Sequence, residues 1–349
     1  MHQFRAVALA VTIFAASSTP AHTLSTSAAV LSQAHRRFID NYAVIERHGG
    51  HDLAEHLVGR FSLDHDAIYL APPPSYSSDD WRERTVNVVR LDSALVEALI
   101  AGQESDFRGE SGLFEGVFRV HADATLQPYA LYVPPSYSTA RPHSLVILLH
   151  GQPQTEAEIL GAPYFRKLAD QTGTVIAAPY GRGLYNFPAP ANVEVYELLD
   201  RVLSMFPTDS HRVFLAGYSM GGFSVYRVGA LNAWRWAGVM SIAGAVLNSE
   251  AELVKFRFRD MPFYIVTGKK DSVIPAQYGE DSAVWLNSVD IPTGLYEEPL
   301  GDHWLGTLVP SLSAAWHDMI AGVVSPAQSN GGTHGPALPP NPPRPSVKP

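Results

Sequence analysis

One short segment constrains the fold of this chain most, because a single residue joins an apolar run to a helix-forming run. Residues 213–216 are all apolar, residues 217–221 read Gly-Tyr-Ser-Met-Gly, and residues 223–231 have helical character. A strand, a one-residue turn and a helix hold a serine in a strained backbone conformation at the edge of a sheet. Glycine two positions before and after Ser219 has a steric reason, since bulk there would obstruct the turn.

From about residue 110 the chain alternates between apolar runs and helical stretches. Residues 145–149 are continuously apolar, as expected for a strand buried on both faces. The predicted strands are 117–120, 129–133, 144–150, 174–179, 213–217, 236–243, 263–267 and 295–300, and the predicted helices are 156–171, 192–206, 220–233, 278–288 and 309–323. This order predicts an α/β fold with a mainly parallel sheet and helices on both faces. Reactive groups of such sheets gather at the carboxyl ends of the strands.

Charge and cysteine usage exclude several classes of function. The chain has 25 Lys and Arg against 34 Asp and Glu, a formal net charge of −9, and no basic cluster. We therefore expect no nucleic-acid partner. The absence of cysteine excludes disulfides and thiolate metal sites. His51 and His56 lie five apart rather than the four that a zinc helix uses, so we expect no metal and no cofactor.

Both ends of the chain have the composition of segments outside the folded domain. Arg5, the apolar residues 6–16 and the small residues 19–21 predict a signal peptide over 1–21, with a buried N-terminal helix as the alternative. No later apolar run reaches eighteen residues, so we expect no membrane anchor and a secreted or periplasmic protein. Residues 325–349 are rich in proline and predict a disordered tail whose removal is harmless.

Residues 22–108 predict a helical N-terminal segment that precedes a catalytic domain over 109–324. One helix is predicted around residues 31–45, and another begins behind Asp92 or Ser93 and ends before Gly102. Residues 72–75 read Pro-Pro-Pro-Ser and break any regular element between them. We expect these helices to pack on the main domain, with a separate binding or regulatory module as the alternative.

Three residue types that could act together follow three different predicted strands. A serine hydroxyl is a poor nucleophile unless a base takes its proton, and that base must be oriented by a third group. Asp271 comes after the predicted strand 263–267, and His303 comes after the strand 295–300. With Ser219 they occur in the chain order Ser, Asp, His that a doubly wound hydrolase sheet imposes. The sequence therefore predicts a catalytic triad of Ser219, Asp271 and His303.

Three other residues compete for the roles of acid and base. Asp302 adjoins His303 but follows the same strand, so it cannot readily reach the far nitrogen of the histidine ring. Asp260 precedes its strand and belongs to the wrong end of the sheet. His317 lies within the last predicted helix, where a surface or packing role is expected.

A tetrahedral oxyanion formed on such a serine needs two preorganised N–H donors. One is expected at the backbone of Met220, where the helix after Ser219 begins. The other is expected from the loop that follows residues 150–151, at the backbone of Gln152. Gly151 allows that loop to pass close to the site, and His150 is expected to hold the loop by hydrogen bonding rather than to titrate.

The chain resembles the exported bacterial esterases of the polyhydroxybutyrate depolymerase and feruloyl esterase type. The resemblance covers about residues 110–323 and rests on five segments: 148–151 (Leu-Leu-His-Gly), 179–183, 212–222, 268–271 (Gly-Lys-Lys-Asp) and 302–303. It implies an α/β-hydrolase fold of the prolyl-oligopeptidase-like neighbourhood. It further implies Ser219 as nucleophile, Asp271 as the acid and His303 as the base. Secreted members often carry disulfides, which this chain cannot form.

The spacing of the later strands predicts an open site. Only about fifteen residues separate Val246 from Pro262, too few for a cap domain, and an uncapped site suits a bulky or polymeric ester. Tyr180, Tyr185, Phe187 and Trp304 are expected at this edge, where aromatic rings could stack on a sugar or an aromatic acyl group; ordinary loop packing is the alternative. Nothing in the sequence selects an acetyl, feruloyl or hydroxybutyryl substrate.

The residues favour a secreted serine ester hydrolase that works through an acyl-enzyme. A peptidase of the prolyl-oligopeptidase kind is one alternative, although the segment before residue 109 is too short for a propeller. A non-catalytic binding protein on a hydrolase scaffold is another, and the complete set of Ser, Asp and His argues against it.

Overall fold

A computed structural model describes residues 20–73, 76–183 and 186–324, and within them eight strands form one sheet. The strands are β1 (Gly112–Arg119), β2 (Leu126–Val133), β3 (His143–Leu149), β4 (Val175–Pro179), β5 (Thr208–Tyr218), β6 (Gly238–Ile242), β7 (Phe263–Gly268) and β8 (Thr293–Glu298). The order across the sheet is β1-β2-β4-β3-β5-β6-β7-β8. β2 pairs antiparallel with both β1 and β4, and the remaining neighbours are parallel. The predicted mainly parallel sheet is confirmed.

Helices cover both faces of this sheet. They are α1 (Pro20–Asp40), α2 (Tyr42–Gly49), α3 (His51–Tyr69), α4 (Ser78–Ala101), α5 (Glu156–Gly161), α6 (Pro163–Thr172), α7 (Ala191–Met205), α8 (Met220–Leu231), α9 (Ala251–Arg257), α10 (Ala276–Ser288) and α11 (Leu305–Ala321). Side chains of a strand point alternately to its two faces. Accordingly Leu145, Ile147 and Leu149 of β3 share a core with α7, α8 and α10, while Val146 and Leu148 share another with α5, α6 and α11.

The four helices α1–α4 form an N-terminal helical segment with its own apolar core. Leu57 of α3 and Leu95 of α4 belong to that core, and so do Val117 of β1 and Leu126 of β2. Val88 of α4 belongs instead to one of the two cores of the sheet. The segment therefore packs on β1 and β2 at one side of the sheet, and its helix α4 also contributes to a core of the sheet.

The predicted start of α4 near Asp92 is wrong, because the helix begins at Ser78. Ser77 caps it by accepting a hydrogen bond from the Asp80 N–H at 3.0 Å, and Gly102 ends it with φ +70, as predicted. The first four turns were missed because Arg84 and Asp92 are buried side chains of α4 that form ion pairs. Charged residues on the inner face interrupt the apolar spacing by which a helix is predicted.

The connection from β6 to β7 holds a short 3-10 turn and α9 and no further domain, so the predicted absence of a cap is confirmed. Across the described part of the chain, no helix combines the length and the apolar character needed to cross a bilayer. The predicted signal peptide falls outside the described residues except for Pro20 and Ala21, which begin α1. The predicted tail, 325–349, lies outside them entirely.

Candidate active site

Ser219 occupies the sharp turn between β5 and α8. Its backbone has φ +52 and ψ −113, a conformation that costs energy for any residue with a side chain. The Ser219 N–H donates to the Ile242 carbonyl at 2.8 Å and so anchors the turn to β6. A Cβ atom at Gly217 or at Gly221 would lie less than 3.0 Å from backbone atoms. The predicted strained serine and the steric need for both glycines are therefore observed.

The turn brings Ser219 against the loop after β8. The Ser219 Oγ lies 2.9 Å from the Nε2 of His303, and the Nδ1 of His303 lies 2.8 Å from the Oδ2 of Asp271. Both hydrogen bonds have the length of a working nucleophile, base and orienter. Ser219 itself is half-buried, whereas the Asp271 side chain is 1% exposed. The structure thus brings together all three residues of the predicted triad.

Asp271 is aimed by the backbone that follows it. Its Oδ1 accepts the N–H groups of Val273 and Ile274 at 2.8 and 2.7 Å, which leaves Oδ2 for the imidazole of His303. A carboxylate held on one oxygen by two backbone donors has little freedom to rotate away from the ring. The loop after β7 therefore presents the acid in one orientation.

The competing residues have other partners. The Oδ1 of Asp302 accepts the Trp304 N–H at 2.8 Å and the Thr307 hydroxyl at 2.7 Å, so this side chain binds the loop before α11 and the first turn of that helix. His317 is an exposed residue of α11 whose Nδ1 lies 2.7 Å from the Ser313 carbonyl of the preceding turn. Asp260 is exposed in the turn before β7 and has φ +65.

The start of α8 and the loop after β3 supply the backbone around Ser219, where an oxyanion would form. Met220 is the first residue of α8, and the N–H groups of a first helical turn have no partner within the helix. The loop after β3 passes close by, since a Cβ atom at Gly151 would lie 3.2 Å from the Cβ of Ser219. The ring nitrogens of His150 lie 2.9 Å from the Gly151 carbonyl and 3.0 Å from the Tyr180 carbonyl. Gln152, the second candidate donor, directly follows Gly151.

Two of the four aromatic residues expected to contact substrate are buried in the interior. Tyr180 is 4% exposed and its ring packs on His56 of α3, while Phe187 is 0% exposed and packs on His150. The prediction that these two rings meet substrate is wrong, because both rings pack against interior side chains instead. Tyr185 lies outside the described residues. Trp304 is 48% exposed beside His303, with ring centroids 6.3 Å apart.

Tyr218 is a site residue that the sequence reasoning missed. Its hydroxyl donates to the His303 backbone carbonyl at 2.7 Å, and its ring lies 5.6 Å from the imidazole. Burial, and then the nearby Asp271, raise the pKa of Tyr218 well above its usual range, so the hydroxyl stays a donor. An aromatic residue directly before Ser219 was the available signal, but only the folded chain shows what it contacts.

Metal ligands are not assembled within the described residues, where no group of three His, Cys, Asp or Glu side chains is arranged to hold an ion. His51 pairs with Glu46 at 2.8 Å on the surface of the N-terminal helical segment. His56 is a half-buried residue of α3 that faces Tyr180.

Solved structures resemble this chain in fold at low sequence identity. A ferulic acid esterase matches with a TM-score of 0.53 and 14% identity, covering 61% of this chain and 99% of that one. The Staphylococcus aureus fluorophosphonate-binding serine hydrolase FphF matches with a TM-score of 0.52 and 16% identity, with the same coverage. This chain has the α/β-hydrolase fold. An S-formylglutathione hydrolase from Agrobacterium tumefaciens matches with a TM-score of 0.50 and 19% identity, covering 61% of this chain and 97% of that chain.

Sequence comparison finds a more limited likeness. No family model matches the chain. A bifunctional acetylxylan esterase/xylanase, XynS20E of Neocallimastix patriciarum, is 25% identical over 154 residues. That alignment covers 43% of this chain and 22% of the relative, so the chain corresponds to about a fifth of that protein's length.

Proposed function

We propose that this α/β-hydrolase chain is a serine ester hydrolase that works through an acyl-enzyme. The observation that carries the proposal is the continuous hydrogen-bonded series from Ser219 through His303 to Asp271, at 2.9 and 2.8 Å. The names of a sequence relative and of a structural neighbour, an acetylxylan esterase and a ferulic acid esterase, support ester rather than amide chemistry.

In the proposed mechanism, the Nε2 of His303 accepts the proton of Ser219 as Oγ attacks the carbonyl carbon of the ester. The C–O bond to the alcohol then breaks, and His303 returns the proton to the departing alkoxide oxygen. Asp271 holds the Nδ1 proton and stabilises the imidazolium between these steps. A water molecule, deprotonated by His303, then releases the acid and regenerates Ser219.

The oxyanion of each tetrahedral intermediate would be held by the backbone N–H groups of Met220 and Gln152. Met220 begins α8 and Gln152 lies in the loop after β3, which passes close to Ser219. Preorganised donors of this kind supply much of the acceleration in acyl transfer. Gly151 permits the approach of the second loop, since any larger residue would meet Tyr218 and Ser219.

We further propose that the substrate is a bulky or polymeric ester, as for the polyhydroxybutyrate depolymerases and feruloyl esterases that the motifs resemble. The absence of a cap between β6 and β7 favours a large substrate. Trp304, exposed beside His303, is the proposed contact for an aromatic or sugar ring.

We also propose the division of the chain into a signal peptide (1–21), an N-terminal helical segment (22–108), a catalytic domain (109–324) and a tail (325–349), with export to the periplasm or medium. Amino-terminal sequencing of exported protein should find a start near residue 22. Deletion of 22–108 should give insoluble protein because it uncovers the apolar faces of β1 and β2. A soluble and fully active 109–324 fragment would instead favour a separate module.

The test is activity-based labelling combined with substrate panels. A fluorophosphonate probe should label the purified protein once, and Ser219→Ala should abolish labelling without changing the melting temperature by more than a few degrees. p-Nitrophenyl esters of graded chain length should be hydrolysed, and a peptide anilide should not. Labelling that survives the substitution would move the nucleophile elsewhere. Cleavage of the anilide would favour the peptidase. Absence of both ester and anilide cleavage would favour a binding protein.

A further inference from the structure

A buried cluster of charged side chains lies between the N-terminal helical segment and the start of α5. Arg60 of α3 has a side chain that is only 2% exposed. It donates to the Oδ2 of Asp92 at 3.1 Å and to the Oε1 of Glu156 at 2.5 Å. Glu156 is the first residue of α5 and is 0% exposed. Arg60 and Glu156 lie 96 positions apart, so their ion pair joins the N-terminal helices to α5.

Two further acids complete the cluster and define its charge. Burial, and then a neighbouring carboxylate, raise the pKa of Asp64 and of Glu115 well above the usual range. In the described structure neither oxygen of Glu115 has a donor, nor does one oxygen of Glu156. Burial would raise the pKa of Glu156, but Arg60, and then Glu115, lower it, which favours the ion pair that Glu156 forms with Arg60.

The start of α5 is fixed by its own capping box, and two residues of α4 bind α5 to the N-terminal helical segment. Thr155 and Glu158 form a capping box, in which the Thr155 N–H donates to Glu158 at 2.8 Å and Thr155 accepts the Glu158 N–H at 3.2 Å. Arg84 of α4 forms an ion pair with the Glu158 carboxylate of this capping box. At the other end of α5, the side chain of Asn87 donates to the Gly161 carbonyl at 3.1 Å.

The loop between β3 and α5 connects these contacts to Ser219. Glu156 comes only four residues after Gln152, and a chain this short transmits a displacement of one end to the other. At its β3 end, His150 bridges the Gly151 and Tyr180 carbonyls. The loop is thus held at one end by His150 and at the other by the Arg60–Glu156 ion pair.

We propose that Arg60 is a positioning residue for the oxyanion donor at Gln152. By holding Glu156 at the first turn of α5, it fixes the loop that carries the donor, so the N-terminal helical segment sets the rate of the chemical step. This inference rests on the proposed function for its kinetic consequence, although the immobilisation of the loop can be measured without any reaction.

The experiment compares Glu156→Gln, Arg60→Met and Arg60→Lys in the full chain. Glu156→Gln keeps the shape of the side chain and removes the charge that Arg60 holds. We expect its kcat on a p-nitrophenyl ester to fall about 10- to 100-fold, as for a displaced oxyanion donor, with KM within about twofold. Inhibition by an aryl trifluoromethyl ketone, whose tetrahedral adduct occupies the oxyanion site, should weaken by a similar factor. Arg60→Lys should retain more kcat than Arg60→Met.

The matched control is Leu99→Ala. Leu99 is fully buried in the core of the N-terminal helical segment, next to Gly49, whereas the apolar residues of α5 belong to another core. This substitution should lower the melting temperature while leaving kcat within about twofold, since deletion of core methyl groups costs stability without moving the loop. Equal kinetic parameters for Glu156→Gln and Leu99→Ala would overturn the proposal. Should Arg60→Met fail to fold, Glu156→Gln and Arg60→Lys carry the comparison.

Hydrogen exchange separates failure of this proposal from failure of the proposed function. Amides of residues 150–156 should exchange faster in Glu156→Gln and Arg60→Lys than in Leu99→Ala or the unaltered chain. If the unaltered chain hydrolyses no ester, the proposed function fails and this exchange alone decides whether Arg60 holds the loop. Equal exchange of these amides in all variants would overturn the positioning role even in an active esterase.

Discussion

The hydroxyl of Tyr218 donates a hydrogen bond to the backbone carbonyl of His303 over 2.7 Å. Through it, the residue that precedes Ser219 holds the loop that carries the candidate base. The rings of Tyr218 and His303 also lie 5.6 Å apart. The separation of Ser219 and His303 therefore depends on a contact between the end of β5 and the loop after β8, whose two residues are 85 positions apart.

Tyr218→Phe should reduce activity because it removes this hydrogen bond and leaves the His303 carbonyl buried without its donor. We expect the free energy of unfolding to fall by about 1–3 kcal/mol and kcat to fall with little change in KM. Tyr129→Phe is the matched control, since the buried hydroxyl of Tyr129 has no hydrogen-bond partner in the described structure. Equal effects of the two substitutions on kcat would show that Tyr218 does not position His303.

Asp271→Asn should lower kcat far more than Asp302→Asn. The Asp271 carboxylate faces the Nδ1 of His303 at 2.8 Å, and replacement of the acid in the best-studied triad costs about 10⁴ in kcat. Asp302 accepts hydrogen bonds from the Trp304 N–H and the Thr307 hydroxyl, so its replacement should cost about 1 kcal/mol of stability and little activity. Steady-state kinetics with both variants is the measurement. If the losses came in the reverse order, Asp302 would be the acid.

Gly221→Ala and Gly59→Ala should have opposite effects on stability. A Cβ atom at Gly221 would lie less than 3.0 Å from the backbone of Leu149 and His150, so the turn at Ser219 would have to move. A Cβ atom at Gly59, in the middle of α3, meets nothing within 4 Å. Gly59→Ala should therefore raise the free energy of unfolding by about 0.5–1 kcal/mol. Denaturant unfolding of both variants tests this, and a stable, active Gly221→Ala would contradict the described turn.

Glu250→Gln should make stability less dependent on pH. Burial raises the pKa of Glu250 to about 7, although Arg227 lies 3.8 Å away and opposes the shift. The folded chain then binds this proton more tightly than the unfolded chain, so stability falls as pH rises from about 4.5 to 7. The substitution should remove about 1–3 kcal/mol of that fall, measured by urea unfolding at pH 5 and pH 8. Glu252→Gln, at an exposed position of α9, is the control. Parallel profiles for Glu250→Gln and the unaltered chain would be the contrary result.

Prediction from the sequence succeeded where local chemistry decides the structure. Gly217, Ser219 and Gly221 impose one turn on the chain between β5 and α8, whatever surrounds it. The continuous apolar runs identify buried parallel strands, because such strands need apolar side chains on both faces. Asp271 and His303 could be selected because the carboxyl ends of parallel strands meet at one edge of a sheet.

Prediction failed where a partner distant in sequence decides the outcome. The start of α4 was misplaced because the buried Arg84 and Asp92 form ion pairs with Glu158 and Arg60, which no local pattern indicates. Tyr180 was assigned to the substrate because its position after β4 is at the correct edge. The direction of its ring depends on α3, more than a hundred positions earlier.

The sequence by itself determined the class of sheet, the strained serine and the order of the three site residues, because strand burial and turn sterics act over a few neighbouring positions. Only the tertiary structure decided that Tyr218 holds the His303 loop, that Asp302 accepts a hydrogen bond from Thr307, and that Arg60 meets Glu156. Hydrogen bonds and buried ion pairs depend on distances of about 3 Å between atoms, and the folding of the whole chain is what brings such distant residues to that separation.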